Sequence, residues 1–288
     1  MAKFINVGLK GPTVVVDVTR LSLESFAPFG YVVENARPDV HPSAAARAGS
    51  SLSLPFNAIS ANQGFAIKYQ DVTHMVNLYD QAPSGRPAAP SINMFVCAAR
   101  TLTPPSEVGS PSPSSPPLAS PPQPQPQPQP PPGSLFSVAV LERHPYTTQT
   151  FIPLSADPAS RYLVIVAPTL PPAAADEVFS VPTATPTNQR PLPGRGLPDI
   201  GRLHAFIATG KQAVTYGAGT WHAPMVALGP PGTAVDFVVI QFANGVPIED
   251  CQEVFFQPKV PSSGLPAAAA AQGGLSVRLP TGSRQAKL

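Results

Sequence analysis

Apolar positions recur along this chain in short alternating or continuous runs, separated by Pro, Gly and Ser, and amphipathic helices of useful length are absent. PTVVVDVT (12–19) reads as a Val-rich strand. LSLESFAPFGYVVE follows as a short helix capped by Ser22 and reaching Phe26, ended by Pro28 and Gly30, with a new extended segment from Tyr31 to Glu34. Residues 36–55, polar, rich in Ala and Ser and carrying Pro38, Pro42 and Pro55, read as a loop. GFAIKYQDV (64–72) alternates as a half-buried strand with Lys68 and Gln70 on one side, and INMFVCAAR (92–100) is a largely apolar strand. LFSVAVLERHPYTTQTFIPL (135–154) gives two strands around Glu142-Arg143-His144-Pro145, and RYLVIVAP (161–168) is a β-branched run suited to a buried strand. LHAFI (203–207), QAVTY (212–216), MVALG (225–229), AVDFVVIQF (234–242) and DCQEVFF (250–256) complete the series.

Short strands spaced by turns predict an all-β sandwich or barrel built from hairpins rather than βαβ crossovers. Residues 103–133 are low complexity, ending in a Gln-Pro alternation that favours polyproline II and cannot donate to a β ladder. A second Pro/Ala/Thr spacer covers 169–197. Both fall between strands, so they read as loop insertions in one domain spanning 1–257, and 258–288 reads as a disordered tail.

Composition narrows the function classes. Forty-one prolines confine regular structure to part of the length, while 43% hydrophobic residues suffice for one core. A formal net charge of +2 without a Lys/Arg cluster gives no reason to expect nucleic acid. Cys97 and Cys251 stand in apolar contexts without CxxC spacing, as buried reduced thiols do. The N-terminus lacks a signal-peptide pattern and no apolar run approaches the roughly 20 residues of a membrane helix, so a soluble intracellular protein is expected. The last three residues, Ala286, Lys287 and Leu288, are a variant of the Ser-Lys-Leu address read by the peroxisomal import receptor, which makes a peroxisomal location the first expectation and a cytoplasmic one the second.

Three groups of polar residues could carry chemistry. One is Glu142, Arg143, His144, Tyr146 and Gln149, where Glu142 and His144 are two apart and share a face of an extended strand. The second is Tyr216 with Trp221 and His222 in a Gly-rich corner. The third is Lys68 with Tyr69 and Gln70, after Asn62 and Gln63. A His beside a carboxylate suits acid/base work near neutral pH, and a Lys or Arg suits a substrate carboxylate. Each also has a plain account: a surface ion pair for Glu142-Arg143, a turn for His144, core and rim packing for Trp221-His222, a solvated strand face for Lys68. Cupin barrels usually hold metal through HxH, a later Glu and a distant His. ExHxxxxQ replaces the first part here, leaving Glu142, His144, Gln149 and His222 as a weak ligand set for zinc or manganese, so the expectation is no cofactor.

LERHPYTTQTFIPL, YLVIVAP, PDIGRLHAFIATGKQAVTYGAGTWHAPM and DFVVIQF, in that order, resemble the ureidoglycolate lyases, formerly called ureidoglycolate hydrolases. LSLESFAPFGYVVE and ANQGFAIKYQDV look like that family's earlier blocks. The resemblance implies a cupin-like β-barrel, usually a homodimer, that eliminates urea from (S)-ureidoglycolate to give glyoxylate in allantoin breakdown. It implies His222, Glu142 and His144 as the catalytic set, and Lys68, Arg143, Gln149 and Tyr216 as substrate-binding residues. Some family members read WHHP where this chain has Trp221-His222-Ala223-Pro224, so His222 is expected to carry the role alone. The competing readings are an amidohydrolase releasing ammonia from the same substrate, a metal-dependent cupin, and a non-catalytic cupin that binds a small acid.

Overall fold

The computed structural model describes residues 4–9, 12–49, 52–105, 131–155, 157, 159–185, 190–258 and 273–280. Two large sheets dominate. The first runs, in hydrogen-bonded order, Phe4–Leu9, Gln252–Pro258, Val140–Arg143, Trp221–His222, Arg161–Ala167, His204–Thr209 and Thr19–Arg20, with Val226–Leu228 also paired to Arg161–Ala167. The second runs Gly30–Val33, Ala213–Tyr216, Gln149–Pro153, Ala234–Ala243 and Ala89–Ala98. A third, of Val14–Asp17, Leu275–Arg278 and Leu135–Ser137, adds to the first sheet's far side, and Ile59–Ala61 pairs only with Ala66–Lys68. The protein is all-β, and its stacked, mainly antiparallel sheets, with parallel pairs only at the two edges of the first sheet and in the third, are consistent with the cupin-like fold.

The continuous apolar run of Arg161–Ala167 has a direct cause. Tyr162, Val164 and Val166 face the second sheet and pack with Phe151, Val214, Tyr216 and Phe237. Leu163, Ile165 and Ala167 face the other way and pack with Leu141, Trp221, Val254, Phe136 and Val277. A strand buried on both faces has no polar side to show. Each such Val, Leu or Ile contributes about 1.5–3 kcal/mol when fully buried.

The predicted helix is present as Leu23–Phe26. Ser22 Oγ accepts from the Ser25 N–H at 3.1 Å and Ser25 Oγ accepts from the Ser22 N–H at 3.2 Å, a reciprocal cap. Several expectations need correction. Residues 36–55 are not all loop, because Pro42–Ala48 forms a helix with Pro42 in its first turn and His41 Nδ1 accepting from the Ser43 N–H. The tail is not wholly without structure. Leu275–Arg278 pairs in parallel with Val14–Asp17 and buries Leu275 and Val277. The 169–197 loop insertion packs onto the core, with Phe179 buried against Trp221 at 5.9 Å between ring centroids. Most of the Gln-Pro stretch and the Ala286–Leu288 tripeptide lie outside the described residues.

Candidate active site

The corner YGAGTWH turns on Gly219, whose φ of +75° lies in the left-handed region, while its N–H donates to the His144 carbonyl at 2.8 Å. It delivers a two-residue strand, Trp221–His222, between Val140–Arg143 and Arg161–Ala167. Successive strand residues point to opposite faces. Trp221 therefore enters the apolar cluster behind the first sheet, and His222 enters the space between the two large sheets. On the neighbouring strand Glu142 lies directly opposite His222 in register and shares its face.

His222 is 1% exposed and stacks on Tyr216 at 4.0 Å between centroids, with an interplanar angle of 13°. Its Nδ1 donates to the Thr220 carbonyl at 2.9 Å. A carbonyl can only accept, so this bond fixes the proton on Nδ1 and leaves Nε2 with a free lone pair in the neutral ring. His144 repeats the pattern: Nδ1 donates to the Asp250 carbonyl at 2.6 Å, and the buried Nε2 has no hydrogen-bond partner. The two imidazoles stand 5.5 Å apart between centroids. Glu142 Oε1 lies 3.6 Å from His222 Nε2, and the ligating atoms of Glu142, His144 and His222 all fall within 4.8 Å of one another.

Gln149 closes one side, with its amide 3.2 Å from His222 Nε2 and 2.7 Å from the Gln241 amide. The Gln149 NH₂ donates to Gln241 Oε1, and Gln149 Oε1 is the atom that faces His222 Nε2.

Burial sets the charge state. It pushes the Glu142 carboxyl up to about 7, with the adjacent Glu253 adding to the rise. It pulls His222 down to about 3, with His144 as the second cause, and lowers His144 as well. Between those values both His222 and Glu142 are uncharged, so their 3.6 Å approach is a contact of neutral groups rather than an ion pair. Burial also raises Tyr216, whose hydroxyl has no hydrogen-bond partner among the described residues.

Five of the seven residues expected in the site converge: Glu142, His144, Gln149, Tyr216 and His222. Two do not. Arg143 follows Glu142 and points to the opposite face, where its guanidinium lies 4.3 Å over the Trp221 ring and is fully buried. It donates to Gln252 Oε1 at 2.9 Å, to the Gly194 and Arg195 carbonyls at 2.8 and 2.9 Å, and to the Gly196 carbonyl at 3.3 Å. Every part of the fork is spent on structure. Lys68 is exposed on a three-residue strand that pairs only with Ile59–Ala61, and among the described residues no hydrogen bond or ion pair ties it to the cluster. Sequence reasoning missed Gln241, although Val235, Phe237 and Val239 share its face and a lone polar residue in that series was the available signal. It also missed Cys251, whose Sγ lies 4.0 Å from Glu142 Oε2 and whose thiol burial pushes up, and the carbonyls of Thr220 and Asp250, which carry no side-chain signal.

The arrangement can accept a proton at either Nε2 and give or take one at Glu142. Its donor set, two imidazoles and a carboxylate with each imidazole anchored through Nδ1 on a backbone carbonyl, also fits a divalent cation.

The family model for ureidoglycolate lyase matches residues 13–262. The ureidoglycolate lyase of Schizosaccharomyces pombe is 32% identical over 234 residues, covering 81% of this chain and 86% of that protein. The enzymes of the same name from Saccharomyces cerevisiae and Burkholderia cepacia are 37% and 32% identical over 121 and 137 residues, covering 41% and 48% of this chain and 49% and 59% of theirs. This chain belongs to the ureidoglycolate lyase family.

Proposed function

We propose that the protein is a carbon–nitrogen lyase that eliminates urea from (S)-ureidoglycolate to give glyoxylate, with Glu142, His144 and His222 handling the protons. The observation that carries this reading is the buried cluster in which two unprotonated imidazole nitrogens face a carboxyl group held near neutrality, in a member of this family. The substrate is a carbinolamide. Its hydroxyl must lose a proton as the C–N bond breaks and a carbonyl forms, while the departing nitrogen gains one. His222 Nε2 accepts the hydroxyl proton. Glu142 in its acid form donates to the leaving nitrogen and then, as a carboxylate 3.6 Å away, stabilises and relieves the imidazolium. No water is consumed. Gln149 and the free Tyr216 hydroxyl hydrogen-bond the ureido group, and His144 Nε2 holds the hydroxyl or its water.

A cofactor-free reaction is the simpler form of the proposal. The same residues favour a second form, in which Glu142, His144 and His222 would hold a divalent ion that supplies Lewis-acid polarisation of substrate oxygen. Metal analysis of active protein separates them: activity that survives exhaustive chelation with less than about 0.1 equivalent of metal removes the second form. The reaction itself is tested by following urea, glyoxylate and ammonia together from (S)-ureidoglycolate. Equal urea and glyoxylate are expected, and stoichiometric ammonia would replace the lyase by an amidohydrolase.

A homodimer and peroxisomal import belong to the same proposal. The outer face of the second sheet supports the dimer: Ile92, Met94 and Val96 stand 73%, 59% and 70% exposed there, beside Ile152 and Leu154. Sedimentation of Met94→Asp is expected to give monomer, and a wild type that already sediments as monomer contradicts the dimer. Import is supported by Ala286-Lys287-Leu288 and would be abandoned if removal of those three residues left the protein's cellular distribution unchanged.

A further inference from the structure

Alternation puts Val235, Phe237, Val239 and Gln241 on one face of Ala234–Ala243, and the first three are buried in the core between the two large sheets. The strand pairs Ile240 with Thr150, so the next step of the register sets Gln241 beside Gln149, which is itself paired with Tyr216. Tyr216, Gln149 and Gln241 therefore form a row on the second sheet, and its first two members meet His222 on the first.

Gln241 Oε1 accepts from the Gln149 NH₂ at 2.7 Å, and Gln149 Oε1 lies 3.2 Å from His222 Nε2. An amide can turn over and exchange its two ends, so this orientation needs a cause. His222 does not supply it. In the neutral ring, protonated on Nδ1, the Nε2 lone pair faces the Gln149 oxygen, and two acceptors repel. The cause is at the other end of the amide, where Gln241 presents its oxygen and so decides which end of Gln149 reaches the site. His222 Nε2 and Gln149 Oε1 then converge as paired acceptors. They suit a ligand with two donors on a single carbon, an O–H for the imidazole and an N–H for the amide oxygen, which is the pattern of a carbinolamide.

We infer that Gln241 is a positioning residue for the proposed elimination, a role that rests on the lyase reading. Through Gln149 it holds a second acceptor beside His222 Nε2, and this pair selects a carbon bearing both a hydroxyl and an N–H. Gln241 itself touches no reacting atom.

The test is the steady-state release of urea and glyoxylate from (S)-ureidoglycolate by the full chain, per folded molecule. Gln241→Glu keeps an acceptor toward the Gln149 NH₂, and kcat/KM is expected to fall no more than about threefold. Gln241→Lys offers only donors, draws the Gln149 oxygen away from the site and should lower kcat/KM at least about twentyfold. Charge alone predicts the reverse order, because a cation favours an anionic substrate and an anion opposes it. In a Gln149→Leu background the advantage of Gln241→Glu over Gln241→Lys should vanish. Gln241→Met, uncharged and of similar length, leaves the amide free to turn and should cost about five- to tenfold, so it decides the matter if a charged variant fails to fold. In a wild type that releases urea and glyoxylate, three results each overturn the role of Gln241 alone: Gln241→Lys at least as active as Gln241→Glu, an advantage of Gln241→Glu that survives Gln149→Leu, or Gln241→Met as active as wild type. A wild type that releases neither product removes the lyase reading and the role of Gln241 together.

Discussion

Glu142 and His222 on one face of the first sheet, and Arg143 and Trp221 on the other, are sequence neighbours in opposite circumstances. Behind the sheet the donors of Arg143 and Trp221 are spent. Arg143 is bonded through all three nitrogens and stacked on Trp221, and Trp221 Nε1 donates to the Gly196 carbonyl at 3.1 Å. Between the sheets the polar groups are buried or, for Glu142, one-fifth exposed, and are left open, with His144 Nε2 and the Tyr216 hydroxyl unpartnered and Glu142 raised to about 7. Burial alone therefore does not mark a functional residue. What separates the two faces is whether the buried group has hydrogen-bonding capacity left for something that is not protein.

The largest effect expected from breaking this contrast is on the open face. His222→Gln removes the proton acceptor and should lower kcat by about 10²–10⁴ while the protein remains folded, measured as glyoxylate release per folded molecule. Behind the sheet the opposite partition holds. Arg143→Met strands Gln252 Oε1 and three carbonyls, and should cost about 3 kcal/mol or more in urea denaturation. The fraction still folded should turn over within several-fold of wild type. A variant that is stable but inactive would return Arg143 to the site.

A smaller effect follows from Glu142 itself. Its folded-state value of about 7 exceeds the ordinary 4.5, so the folded state holds the extra proton through that window and stability falls as pH rises from 4.5 to 7. The penalty is complete above 7 and amounts to roughly 3 kcal/mol at most. His222, lowered to about 3, acts in the other direction, losing stability as pH falls below 6.5, but it does so equally with or without Glu142. In chelator-treated protein, Glu142→Gln should gain on wild type between pH 5 and pH 8 in urea midpoints; a constant difference would mean that the carboxyl is not desolvated. The smallest effect is at Lys68, where Lys68→Ala should leave kcat/KM within about twofold. A tenfold rise in KM would bring that strand back to the substrate.

How much of this was legible in the sequence depended on whether the signal was local. Alternation found most strands of the two large sheets but not Phe4–Leu9 or Trp221–His222, and RYLVIVAP announced a strand covered on both faces. The spacing of Glu142 and His144 predicted one face, and although the strand ends at Arg143 their ligating atoms lie within 4.8 Å of each other; alternation applied to Arg143 sends it to the other face. Pro42 at the start of an Ala-rich run, with Gly49 after it, was a readable helix that Ser and Pro content disguised as loop. Leu275–Arg278 could not be read locally, because a four-residue strand pairing in parallel across most of the chain length has no neighbour in sequence to announce it. Nor could the role of 169–197. Proline richness suggested a spacer, yet Gly194–Gly196 supply the carbonyls that complete Arg143 and Trp221. For Lys68, half-burial by alternation was indistinguishable from a site strand until the pairing was known.

The central claim, that the unsatisfied face of the sheet performs the elimination, rests most heavily on Glu142. Its direct test is the rate of simultaneous urea and glyoxylate release from (S)-ureidoglycolate by Glu142→Gln, per folded molecule, at pH 7. A fall of at least about a hundredfold in a protein no less stable than wild type is the expected result, and turnover within a few-fold of wild type would contradict it.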